Sequence, residues 1–210
     1  MTNYSEIVLN QFFQEFYTQR IENVKTYSKN YNSAFDIPIT LFWFSIIDFY
    51  GGLYYVGIKN ELQTYNNRSL KFASKNSFKE FIKVFFPNPE NELGDFLYTI
   101  FRSGLVHQLS PKNGGLFYLP DNPKLIWIDK QMLPSTHIIT ANINIFKLEE
   151  LTYNGYLEFR RKIETNQIPE ICKNIAENLI TKDIFEDVTI LNSQYLKLSE
   201  GLREYLTIIR

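Results

Sequence analysis

The sequence predicts a mainly α-helical bundle with a small β insertion, and three observations lead there. Over most of the chain apolar residues recur at three- and four-residue intervals, the period of an amphipathic helix. Between about 115 and 146 the spacing shifts towards alternation and turn-forming residues cluster. Hydrophobic residues make up 44% of the 210 positions and charged residues 21%, enough apolar surface for a packed core and too little charge for a disordered chain. The length fits one domain over 1–210.

The elements follow in chain order. Ser5 to Tyr27 sets Leu9, Phe12, Phe13, Phe16, Tyr17, Val24 and Tyr27 near helical spacing, with polar faces between them. Asp36 and Pro38 predict a helix start leading into Ile39 to Ile58, the one stretch long enough to suggest a membrane span. Asp48 at mid-span, the pair Gly51 and Gly52, and tyrosines spread through the stretch favour a helix buried in a bundle instead, with no membrane partner. Asn60 to Lys75 is polar and reads as a connector. Ser77 and Glu80 match a capping box, predicting a short helix that stops before Pro87.

The strongest helix signals come next. Asn88 suits a cap, Pro89 the first helical position, and Glu90 and Glu92 the positive end of the helix dipole. Leu93, Phe96, Leu97, Ile100, Phe101, Gly104 and Leu105 then keep an unbroken i, i+3, i+4 pattern until Ser110 to Gly115 ends it. Leu116 to Leu119, a turn at Pro120 to Pro123, and Leu125 to Ile128 predict a β-hairpin, with a third strand at His137 to Ile145. Lys147 to Thr165 and Pro169 to Ile180 return to helical spacing. Phe185 to Arg210 is ambiguous, although Tyr195 to Ile209 suits a last helix.

Composition excludes several function classes. Lysine and arginine number 22 against 23 acidic residues, so the chain has no cationic coat for nucleic acid, although a local basic patch stays open. Cys172 is the single cysteine, which rules out a disulfide framework within the chain and fits a reducing, cytoplasmic setting. The first residues show no basic stretch followed by an apolar run, so a secretory signal is not expected. A glycine-rich phosphate loop, a G-x-S-x-G elbow and a cysteine–histidine cluster are all missing, and two histidines are too few for a multi-histidine metal site. No metal or cofactor is expected.

Of the two histidines, His137 lies in a strand-like run and reads as structural. His107 has different company, the segment Phe101-Arg102-Ser103-Gly104-Leu105-Val106-His107-Gln108 at the end of the amphipathic helix. This segment resembles the signature of the HEPN superfamily: an arginine, four to six residues of which the first is polar, then a histidine. Arg102, Ser103 and His107 match it position by position, with serine where asparagine or aspartate is more familiar. The resemblance implies a HEPN-like helical bundle, metal-independent ribonuclease activity in many members, and a composite site at a homodimer cleft. The β insertion departs from that pattern and leaves the subfamily open.

The chemistry also stands on the residues themselves. Cleaving RNA through its own 2′-hydroxyl needs a base for that proton, an acid for the 5′-oxygen and a cation for the phosphorane charge. An imidazole can serve as base or acid, and a guanidinium offers a planar fork to phosphate oxygens. One chain supplies one such histidine, so a twofold dimer would give the two proton carriers. On an ideal helix residues five apart lie about 140° from each other, which places His107 towards the apolar stripe and Arg102 away from it. The plainer alternative is a core histidine bonded to a backbone carbonyl, with Arg102 paired to an acid.

Supporting candidates are Ser103, Asp48 and Lys112. Asp48 in an apolar helix needs a partner, for which Arg102 and a capped or solvated position are both open. Lys112 is either a phosphate contact or a plain loop lysine. Arg68, Lys71, Lys75, Lys79 and Lys83, opposed by Glu80, form either an RNA track or a solvated face. The functions in contention are therefore a HEPN-type endoribonuclease, acting as a toxin or defence component with an antitoxin or nucleotidyltransferase partner; a non-catalytic module binding RNA, a nucleotide or a protein; and a structural helical protein.

Overall fold

The computed structural model describes residues 3–28, 36–60, 64–65, 69–70, 75–108, 110–111, 114–132 and 137–181. It is mainly helical with a small three-stranded sheet.

The first expected helix is two. Tyr4–Phe12 (α1) and Glu15–Ser28 (α2) are separated at Phe13, whose backbone leaves the helical region at φ −124° and ψ 25°. That break turns the Phe13 ring inwards, where it is 4% exposed and lies 4.9 Å from the Tyr50 ring and 5.7 Å from that of Tyr156. Burial of one ring outweighs the cost of interrupting a marginal helix.

Asp36–Lys59 (α3) starts where Asp36 and Pro38 predict and is the one described helix long and apolar enough to cross a membrane. Half of its apolar window is buried inside the chain, where the helix packs against Lys75–Phe85 (α4), Ile145–Glu164 (α7) and Pro169–Ala176 (α8). Trp43, Ile47 and Leu53 are fully buried, and Tyr50 sits among Phe13, Tyr156 and Phe159. Its buried side is thus met by three other helices, while Leu41, Phe42, Ile46 and Phe49 stay partly exposed. Helix α4 begins two residues before the expected cap, so Ser77 lies inside its first turn, 1% exposed, and does not cap it. The reason is the close approach of α3: a Cβ on Gly51 would meet the Ser77 carbonyl oxygen at 2.6 Å. Small residues at both positions let the two helices touch.

The stretch with the strongest start signals is a composite rather than one α-helix. The Asn88–Pro89 peptide is cis and leads into a 3-10 turn at Glu90–Glu92 that no side chain caps, so Asn88 and Pro89 do not open an α-helix. A short α5 at Gly94–Phe96, a π-helical segment at Leu97–Arg102 and α6 at Ser103–Gln108 complete it. In the π segment the Ser103 N–H donates to the Tyr98 carbonyl, five residues back.

Within the expected connector, Thr64–Tyr65 (β1) and Ser69–Leu70 (β2) pair antiparallel. The insertion holds Gly114–Phe117 (β3), Ile126–Met132 (β4) and His137–Asn144 (β5) in the order β3-β5-β4. The expected hairpin of Leu116 to Leu119 with Leu125 to Ile128 is corrected by this order: β5 lies between β3 and β4, parallel to the first and antiparallel to the second. Gly114 and Gly115 belong to β3 rather than to the terminator of the preceding helix. The crossover owes its shape to Asn144, fully buried at the end of β5. Its side chain accepts from the Leu119 N–H at 3.1 Å and donates to the carbonyls of Leu119 and Asn122 at 2.8 and 2.9 Å. Its own N–H donates to the Leu125 carbonyl. Four hydrogen bonds fold the Pro120 to Pro123 turn over the end of the central strand and carry the chain to the sheet's far side.

Helices α7 and α8 match the expected spacing, Pro169 opening the latter, and a π-helical turn at Glu177–Thr181 follows. On α7 the Tyr153 hydroxyl donates to Glu22 of α2, a bond that, with burial, pushes its pKa up to about 12. Phe185 to Arg210 lies outside the described residues.

Candidate functional site around Arg102

Arg102 ends the π segment and reaches across to α3, where its Nε donates to Asp48 Oδ2 at 3.0 Å. The guanidinium carbon lies 5.1 Å above the Tyr98 ring, four residues earlier on the same composite helix. Both members of the ion pair are largely withdrawn from water, with side chains 21% exposed for Arg102 and 14% for Asp48. Burial raises the Asp48 carboxyl above its ordinary value, and the neighbouring Arg102 charge pulls it only part of the way back. Asp48 Oδ1 is buried and has no hydrogen-bond partner among the described residues. The Arg102 Nη groups likewise make no hydrogen bond there. The expected partnership of Asp48 and Arg102 is therefore present, and it engages one edge of the guanidinium only.

His107 lies in the last turn of α6 and is exposed, which corrects its expected place against the apolar stripe. The buried stripe runs through Leu97, Phe101, Gly104 and Leu105 as expected and ends there: Val106, at 46% exposure, and His107, in the last turn of α6, face solvent. A core histidine bonded to a carbonyl is thereby excluded. Ser103, half-buried, opens α6. Among the described residues no hydrogen bond joins Arg102 to His107: one is drawn to α3 and the other stands in water.

Lys112 lies outside the described residues, as do Arg68 and Lys71 of the basic run. Lys75 and Lys79 both bond to Asp95, at 2.8 and 3.2 Å, and together hold that carboxyl below its usual range. Lys79 and Lys83 border a cleft of about 590 Å³ with Lys59, against Glu80, Glu92 and Asp95. Equal numbers of opposite charges make this face a poor phosphate track. His137 opens β5 opposite Met132. No three His, Cys, Asp or Glu side chains gather as a metal cluster among the described residues.

Tyr98 escaped the sequence reading, although its i, i+4 spacing to Arg102 on a helix is a usable signal. Comparison with known proteins found no matching family model, no matching curated protein and no matching solved structure.

Proposed function

We propose that the chain is a HEPN-type, metal-independent endoribonuclease in which Arg102 binds the scissile phosphate and His107 carries the proton. The observation that carries this reading is the posture of Arg102. Asp48 holds its Nε and Tyr98 supports its face, so the two Nη groups are left to form a bidentate pair with phosphate oxygens. Five residues on, His107 is accessible to a substrate. As one imidazole cannot serve as base and acid in the same step, two copies of the chain meet at a twofold axis and each contributes one. Attack of the 2′-oxygen then forms a 2′,3′-cyclic phosphate as the bond to the 5′-oxygen breaks. The first imidazole takes the 2′-proton, and the second gives a proton to the leaving oxygen.

The test is cleavage of labelled RNA in the presence of a chelator. The expected result is cut RNA with cyclic phosphate ends, intact DNA of the same sequence, and a loss of about a hundredfold or more in His107→Ala with unchanged melting. Cleavage that persists in His107→Ala overturns the assignment. A non-catalytic binding module is the second reading, favoured by the neutralisation of Arg102 by Asp48. It predicts RNA or nucleotide binding that survives His107→Ala and no cleavage by any variant.

A further inference from the structure

We infer that the amphipathic stretch Tyr195 to Ile209 docks on the partly exposed apolar face of α3, over Leu41, Phe42, Ser45 and Ile46. The inference does not depend on the nuclease reading. That face is half of a longer one. Residues eleven apart on an α-helix lie three turns and about 20° from each other, so they share a row along its side. Leu41, Phe42, Ser45 and Ile46 therefore stand in row with Gly52, Leu53, Val56 and Gly57. The second four are all buried, Leu53 at 0% and Val56 at 1% exposure. Over Gly57 the cover is α8: a Cβ there would collide with Ile171, and Asn174 Nδ2 donates to the Gly57 carbonyl at 2.8 Å. The first four are not buried, Ser45 being exposed and the three apolar side chains partly so. Phe42, Ser45 and Ile46 also line a groove of about 190 Å³ against Arg20 and Ile21 of α2. An apolar row that is sealed for half its length and open for the rest calls for a second piece of cover.

The occupant follows from where the chain goes next. The described residues end at Thr181, and Asn178, three before it, donates to Asn60 Oδ1 at 3.0 Å. Asn60 follows α3 directly and stands eleven residues after Phe49, so the chain leaves the described structure at the far end of the same row. Residues 182–210 continue from there. In them Tyr195, Leu198, Leu202, Tyr205, Leu206 and Ile209 keep helical spacing. As a helix they form an apolar stripe about 21 Å long, against about 18 Å for Ile37 to Phe49. The fourteen residues from Thr181 to Tyr195 span up to about 45 Å, twice the roughly 22 Å from Asn60 back to Ser45. Charge agrees with this placement. Arg203 and Arg210 follow one edge of the stripe. Asp48 borders the face two turns on from Leu41, and its buried Oδ1 has no hydrogen-bond partner among the described residues. A guanidinium beside the docked stripe would supply one.

Cysteine trapping on the full chain tests the docking. The natural Cys172 is buried and stays in place. Ser45→Cys is combined in turn with Leu198→Cys, Leu202→Cys and Leu206→Cys, and with Glu200→Cys as a control from the side opposite the stripe. Under mild copper-catalysed air oxidation, at least one stripe pair is expected to close a disulfide within the chain about tenfold faster than the control, seen as a faster-migrating monomer. Disulfides that form only between chains give the face to a second copy and overturn the proposal, as does closure no faster than in the control. A thermodynamic cycle separates docking from mere tethering. Ile46→Asp and Leu202→Asp are each expected to lower the melting temperature, and the double variant by no more than the larger of the two, since one contact can be broken only once. Losses that simply add up overturn the docking.

Discussion

Asp48 is held in the folded chain at a cost that its partner only partly offsets, because burial raises its carboxyl more than the Arg102 charge lowers it. Removing the guanidinium leaves a carboxylate that is 14% exposed, with no hydrogen-bond donor to either oxygen among the described residues. Arg102→Ala is therefore expected to lose about 2 kcal/mol of stability in urea denaturation, less than the loss at a fully sealed ion pair. A raised folded-state pKa means that the folded chain holds this proton more tightly than the unfolded one. The resulting stability is fully present below the ordinary 3.8 and lost as pH rises through the folded-state value. In the acid window just above 3.8, the natural protein should gain stability over Asp48→Asn as pH falls. A parallel pair of stability curves there would refute the raised carboxyl. The pairing itself could be read from the sequence, since a lone acid in an apolar helix needs a cation and Arg102 was within the same argument. The exposure of His107 could not, because it depends on where the buried stripe stops, which is set by what packs against the end of α6 and not by the spacing within the helix.

Among the elements, α3 was the most legible and the sheet the least. The features that argued against a membrane span, Asp48 and the two glycines, turn out to be contacts: Asp48 bonds to Arg102, and Gly51 lies against the α4 backbone. Gly51→Ala is expected to cost about 2 kcal/mol by forcing α3 and α4 apart, measured as a lower melting temperature with an unchanged helical circular dichroism spectrum. An unaltered midpoint would mean that α4 yields without loss. The strands were visible in the sequence, but their order was not. Alternation marks a strand and says nothing of its neighbour, and here the order is set by a side chain at the end of β5 rather than by the turn residues between β3 and β4. The capping box at Ser77 failed for a related reason, as packing against α3 outranked a local preference.

On the scale of the whole molecule, rings bind the helices together. Phe13 at the end of α1, Tyr50 on α3, and Tyr156 and Phe159 on α7 form one aromatic group at the centre of the bundle. Periodicity located the helices that carry these rings, whereas a pairing of two copies would leave no trace in a single chain's hydropathy. The proposed composite site requires that pairing. Sedimentation is expected to give a particle of twice the chain mass, and dilution into monomers should abolish RNA cleavage in step. Full activity in a strictly monomeric preparation would defeat the twofold arrangement.

Asn144 gives the insertion a dependence that its strands alone do not reveal. One amide both accepts from and donates to the crossover, so an aspartate there would keep the shape and turn a donor into a second acceptor, facing two carbonyl oxygens with negative charge. The crossover would come loose while the aromatic bundle stayed whole. A single nitrogen atom thus decides whether the chain keeps its path from β3 across the end of β5 to β4.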